Sequence, residues 1–264
     1  MGLARPCAVL SSKVDGPVVG RGGGPVMLPP DVPLLWSSEE PEYLIATLDL
    51  AALPEDATGL SLPPDGHLLL FAVVDLGEAD GLCGHVVYVP AGTVVEAREL
   101  DYSDSDSSLY AFSTSEDLLA ELRDLGELRL KYDVSLPDHD FFPDDVIVDR
   151  AEHPHANELR EAWREVERDD EESSGWPPLR IGGYASEQDG WGDPVTQSTQ
   201  TLAHLDELGI EGGPVFEERP RPDDWVLLAQ WDGIPMGSMY WSITKQDMAA
   251  RRFDRPLVKL WANP

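Results

Sequence analysis

An α+β fold, rich in mostly antiparallel sheet and with only a few short helices, is what this sequence predicts. Three observations carry the expectation. The 23 glycines and 23 prolines are spread along 264 residues, so the chain is punctuated too often for long helices. Runs such as His67-Leu68-Leu69-Leu70-Phe71 are apolar without interruption, as strands buried on both faces are. Helical spacing of apolar residues recurs only in a few stretches.

From the N-terminus, residues 1–17 hold no apolar stretch of signal type, and Cys7 is expected near a mobile end. Residues 20–30 form a Gly/Pro segment. Residues 43–50, 67–74 and 85–89 read as strands, the last two as a pair. Pro90-Ala91-Gly92 turns the chain before residues 93–97. Residues 101–108 form an acidic serine loop. Ser113 and Glu116 make a capping box for a helix carrying Leu118, Leu119, Leu122 and Leu125, with Gly126 as its stop. Residues 128–134 alternate as a strand does. Residues 157–172 have the pattern of a surface helix, with Leu159, Trp163 and Val166 on one stripe. Its four terminal acids oppose the helix dipole, and residues 173–178 read as a linker. A short helix is expected over 199–208, strands over 225–231 and 238–243, a Thr244-capped helix to about Arg252, and a last strand over 257–261.

The charge is the strongest compositional signal. Fifty acids against 19 bases give a net charge of −31. Such a chain repels phosphate backbones and anionic lipid, and no stretch is basic enough to reverse that locally. General nucleic-acid binding is excluded, and a basic protein is the expected partner. With no run of 18 apolar residues, no membrane span is expected. Two cysteines make no disulfide framework, so a cytoplasmic setting is expected.

An internal echo runs through the strands. Leu44-Ile45-Ala46-Thr47-Leu48-Asp49 is similar to Leu227-Leu228-Ala229-Gln230-Trp231-Asp232, and each precedes a Gly-led apolar strand. The expectation is a single domain over 1–264 with two similar halves, about 1–150 and 176–264, joined by a helical acidic segment, 151–175. The same segments carry a family resemblance. Gly22-Gly23-Gly24-Pro25 with Leu28-Pro29, then residues 43–50, Leu62-Pro63-Pro64-Asp65-Gly66, Gly182-Gly183-Tyr184, residues 227–232 and Tyr240-Trp241-Ser242-Ile243 resemble the YwqG-like family of bacterial domains. Thr47 stands where that family usually has Gln. The resemblance implies a sheet-rich α+β fold with a duplicated core, and it supplies no catalytic residues.

Candidate chemistry is sparse. His139 and Asp140, with His153 and His155 further on, are residue types that hold zinc, manganese or iron, although no H-E-x-x-H or C-x-x-C accompanies them. A divalent metal and hydrolase chemistry are one reading of them; a polar loop is the other. No other cofactor is expected. Residues 101–112 lack the glycine and glutamate of a calcium loop. Gly20 to Gly24 lack the Lys-Ser/Thr of a phosphate loop. Cys83 and His85 could meet in a turn, although a semi-buried cysteine is the plainer reading. The segment 182–194 is glycine-rich and aromatic, so Gly183, Tyr184, Gln188, Trp191 and Asp193 are the candidate ligand-binding residues. Three readings follow: a non-enzymatic partner of a basic protein, of immunity or antitoxin type; a small-ligand sensor; and a metal-dependent hydrolase.

Overall fold

A computed structural model describes residues 4–32, 42–74, 83–98, 115–136, 155, 157–158, 161, 179–186, 193–209, 213–234 and 237–262. Among these the strands are β1 (Arg5–Ser11), β2 (Val18–Gly22), β3 (Val26–Leu28), β4 (Glu42–Asp49), β5 (His67–Val73), β6 (Val86–Val89), β7 (Glu96–Arg98), β8 (Glu127–Ser135), β9 (Leu179–Gly182), β10 (Trp225–Ile234), β11 (Gly237–Thr244) and β12 (Leu257–Ala262). The helices are α1 (Ser115–Asp124), α2 (Ser198–Leu208) and α3 (Lys245–Ala249).

Ten strands form one sheet in the order β12-β11-β10-β9-β1-β8-β2-β4-β5-β6, and β3 pairs with β7 in a separate ribbon. Every pairing is antiparallel. The central pair is β1 and β8, flanked by β9 on one side and β2 on the other. Beyond these lie two three-strand meanders, β10-β11-β12 and β4-β5-β6. The echoed segments occupy β10 and β4, the same distance from the centre.

The sheet curls until its two wings touch. Trp241 of β11 donates its indole N–H to the Phe71 carbonyl of β5 at 3.0 Å. The Cys83 amide donates to the Val258 carbonyl of β12 at 3.1 Å. Inside the curl, Leu10, Ile45, Leu68, Leu70, Trp231, Trp241 and Val258 belong to one core. That explains the unbroken apolar runs, because the outer face is covered too. Leu69 and Phe71 pack outward with Val26 and Leu28 of the β3–β7 ribbon. On the other wing Leu202 and Leu205 of α2 cover Trp225, Leu227, Tyr240 and Leu257.

Core contacts and local hydrogen bonds set the helices. Leu118 and Leu122 anchor α1 in the core. α2 ends at Gly209, whose N–H bonds to the Leu205 and Asp206 carbonyls. Thr244 caps α3, its Oγ1 accepting from the Asp247 amide at 3.0 Å. That helix stops at Ala249, short of Arg252, because the Arg252 amide turns back to the Asp247 carbonyl.

The N-terminal segment departs from expectation. Cys7 is 2% exposed in β1, at the centre of the sheet, not near a mobile end. The Gly/Pro segment supplies β2 and β3, and residues 179–182 form β9. These strands are short, and they are fixed by distant partners rather than by a local pattern. Of the surface helix expected over 157–172, residues 157–158 and 161 are described and are helical, and the rest of it and the acidic loop at 101–108 lie outside the described residues. Among the described residues no helix is long and apolar enough to cross a membrane.

Candidate functional site

The glycine-rich segment leaves the end of β9 through Gly182 and Gly183. Gly183 has φ +79°, and a Cβ there would lie 2.6 Å from the Ser135 Cβ, so both the turn and the close packing require glycine. The Tyr184 amide then donates to Ser135 Oγ at 2.9 Å.

A buried polar network fixes the next residue. The Ser186 amide donates to Gln230 Oε1 at 3.0 Å, and Gln230 Nε2 donates to Ser186 Oγ and, at 2.9 Å, to Asp232 Oδ1. Ser238 Oγ donates to the same Asp232 oxygen at 2.6 Å, and Tyr240 donates its hydroxyl to the Ser186 carbonyl at 2.9 Å. Gln230 is fully buried, so its amide must be bonded, and β10 and β11 thereby hold the loop base. The far end is held by Asp193, whose Oδ1 accepts from the Val195 amide at 2.9 Å just before α2.

Between these ends lies a cavity of about 600 Å³. Gly183, Tyr184 and Asp193 line it, together with Arg5, Trp225 and Lys245. The Arg5 guanidinium stands 3.9 Å from the centre of the Tyr184 ring. The register Cys7↔Gly182 between β1 and β9 brings the two residues together. Lys245 Nζ donates to the Asp223 carbonyl at 2.7 Å. Among the described residues neither Arg5 nor Lys245 has a carboxylate within ion-pairing distance. The two cations share the cavity lining with the carboxylates Asp193 and Asp223.

Burial shapes the remaining charges. Desolvation raises the Asp193 pKa, while the Val195 and Thr196 amides and then Arg5 and Lys259 draw it back. Desolvation lowers the Lys259 pKa to about 8, against the attraction of Asp193. Lys259 Nζ donates to the Pro194 carbonyl at 3.2 Å. Asp193 and Lys259 thus attract each other while burial desolvates both.

Gln188 and Trp191 lie outside the described residues, as do His139, Asp140 and His153. His155 is exposed, with Nδ1 2.7 Å from Glu158 Oε2. Among the described residues no group of three or more His, Cys, Asp or Glu could hold a metal. Cys83 and His85 lie in different surroundings, just before β6. Cys83 belongs to the inner core, whereas His85 stacks on outward-facing Phe71 at 4.4 Å and contacts the buried Glu42 carboxylate. Arg5 and Lys245 had no sequence signal, since each joins the cavity only through strand pairing or a helix start.

Residues 20–261 match the family described as a domain of unknown function, DUF1963. The chain belongs to that family. The DUF1963 match includes Gly183, Tyr184, Asp193, Trp225 and Lys245, and begins after Arg5 and the whole of β1. No curated protein matches the chain.

Proposed function

We propose that this DUF1963 protein is a non-enzymatic binding protein that senses a small anionic ligand in the cavity between Tyr184 and Asp193. One observation carries the reading. Arg5 and Lys245 line the cavity, and among the described residues neither has a carboxylate within ion-pairing distance, in a chain of net charge −31. A stacked guanidinium keeps its N–H edge available for a carboxylate or phosphate, and Tyr184 and Trp225 offer apolar walls. The test is a thermal-shift screen of small carboxylates and phosphate esters. A ligand at a hundredfold excess over its Kd adds about 2.7 kcal/mol of stability. Stabilisation that is lost in Arg5→Ala supports the reading; a flat screen contradicts it.

The net charge supports a second reading, in which acidic surfaces outside the cavity dock a basic protein, as an immunity or antitoxin-type partner does. A pull-down at low and moderate salt that returns no basic protein argues against it. We also read the motifs as YwqG-like, and the matching wings of the sheet as two duplicated halves within one domain.

A further inference from the structure

Strand β8 lies at the centre of the sheet, yet one of its sides is only half covered. β1 pairs with it from Arg129 to Ser135. On the other side β2 pairs only with Glu127, Leu128 and Arg129, and the Leu130 amide donates to the Pro17 carbonyl at 3.0 Å. Arg129 Nη1 donates to the Gly16 carbonyl at 3.1 Å, and a Cβ at Gly16 would collide with the Leu130 carbonyl, so glycine lets the chain pass there. Among the described residues no strand pairs with this side of β8 beyond Leu130.

The stagger leaves an open sheet edge. Residues of an antiparallel strand turn their N–H and C=O groups to alternate sides. The Leu130 amide faces the β2 side, so the amides of Tyr132 and Val134 do too. The Val134 amide donates to Asp133 Oδ1 at 2.7 Å, a side chain standing where a neighbouring strand would supply a carbonyl. Burial changes at the same step. Leu128 and Leu130 are 2% exposed, while Tyr132 and Val134, next on the same face, are 57% and 47% exposed.

An open edge takes an extended segment as an added strand: main-chain bonds hold it, and alternate side chains choose it. Charge names the occupant here. At −31 the chain favours a basic partner, and Asp133 is the acid on this edge. A second copy of the chain is disfavoured, because pairing Tyr132 with Val134 across a twofold axis sets the two Asp133 side chains opposite each other. We propose that the edge at residues 132–134 captures an extended segment of a basic protein, with Lys or Arg opposite Asp133 and apolar residues opposite Tyr132 and Val134. On docking, a carbonyl of the segment takes the Val134 amide, and the Asp133 carboxylate, 3.4 Å from Lys131 Nζ, turns to the incoming cation. The site rests on the basic-partner reading for the sign of the charge and does not depend on the ligand cavity.

The probe is the peptide acetyl-Thr-Phe-Lys-Val-Thr-amide. One control replaces its Lys by Glu, and the other carries N-methyl groups on Phe and Val, the residues that would bond the edge. Amide exchange and chemical shifts of the full chain are followed by NMR. The edge predicts slowed exchange at Tyr132 and Val134, saturating shifts centred on β8, and at least about tenfold weaker binding of both controls. Val134→Pro removes the edge amide without touching the pairing to β1 and should weaken binding at least about fivefold. Asp133→Lys keeps every backbone group and should make the Glu peptide the tighter ligand. No protection up to about 10 mM peptide overturns the proposal. So does equal binding of the N-methylated control, or an unchanged preference in Asp133→Lys. These failures strike the edge alone, whereas the basic-partner reading falls only to an empty pull-down.

Discussion

Lys259 shows how a single side chain can be held at a cost. Burial lowers its pKa from 10.5 to about 8. Between those values the unfolded chain carries the proton and the folded chain does not, so stability rises as pH rises through that window. Below about pH 8 the folded state keeps a desolvated ammonium, offset in part by Asp193 and the Pro194 carbonyl. Lys259→Met should raise the melting temperature near neutral pH and flatten the rise between pH 8 and 10.5, as thermal melts across that range would show. Asp247 makes the opposite case. It is 1% exposed and accepts from Thr244 Oγ1 at 2.8 Å and Arg252 Nε at 2.7 Å, with Arg255 Nη1 at 3.4 Å. Asp247→Ala leaves these donors unmatched and should cost about 3 kcal/mol in denaturant unfolding.

Elements with their own period were legible in the sequence. β4, β5, β8, β10, β11 and β12 all fall where apolar runs or alternation placed them, and α2 matches its expected span within one residue. β1, β2, β3 and β9 were not legible, because a short strand is defined by its partner and the sequence does not print partners. The candidate site divides the same way. Gly183, Tyr184 and Asp193 stood out through loop chemistry, and they line one cavity. Arg5 depended on β1 lying beside β9, so no reading of residues 1–17 could have found it. The contact between the sheet's wings was equally hidden. Trp241→Phe keeps the ring in the core but removes the bond to Phe71 of β5. It should destabilise the protein by about 1–2 kcal/mol, measured as a lower denaturant midpoint with the slope unchanged.

The whole molecule carries its charge as a field. At −31, self-repulsion opposes the compact state, so added salt should raise the melting temperature as screening shortens toward about 3 Å at 1 M. A melting temperature that falls with sodium chloride would contradict that. Against this field Arg5 and Lys245 offer an anion attraction only at short range, beside Asp193 and Asp223 of the same cavity. Affinity for such a ligand should therefore be strongest at moderate rather than very low salt. The direct test is a heteronuclear NMR titration of the full chain with small carboxylate and phosphate probes. The account predicts saturable shifts clustered at Gly183, Tyr184, Asp193 and Val195, and their disappearance in Arg5→Ala. Shifts that lie elsewhere, or that persist unchanged in Arg5→Ala, would contradict it.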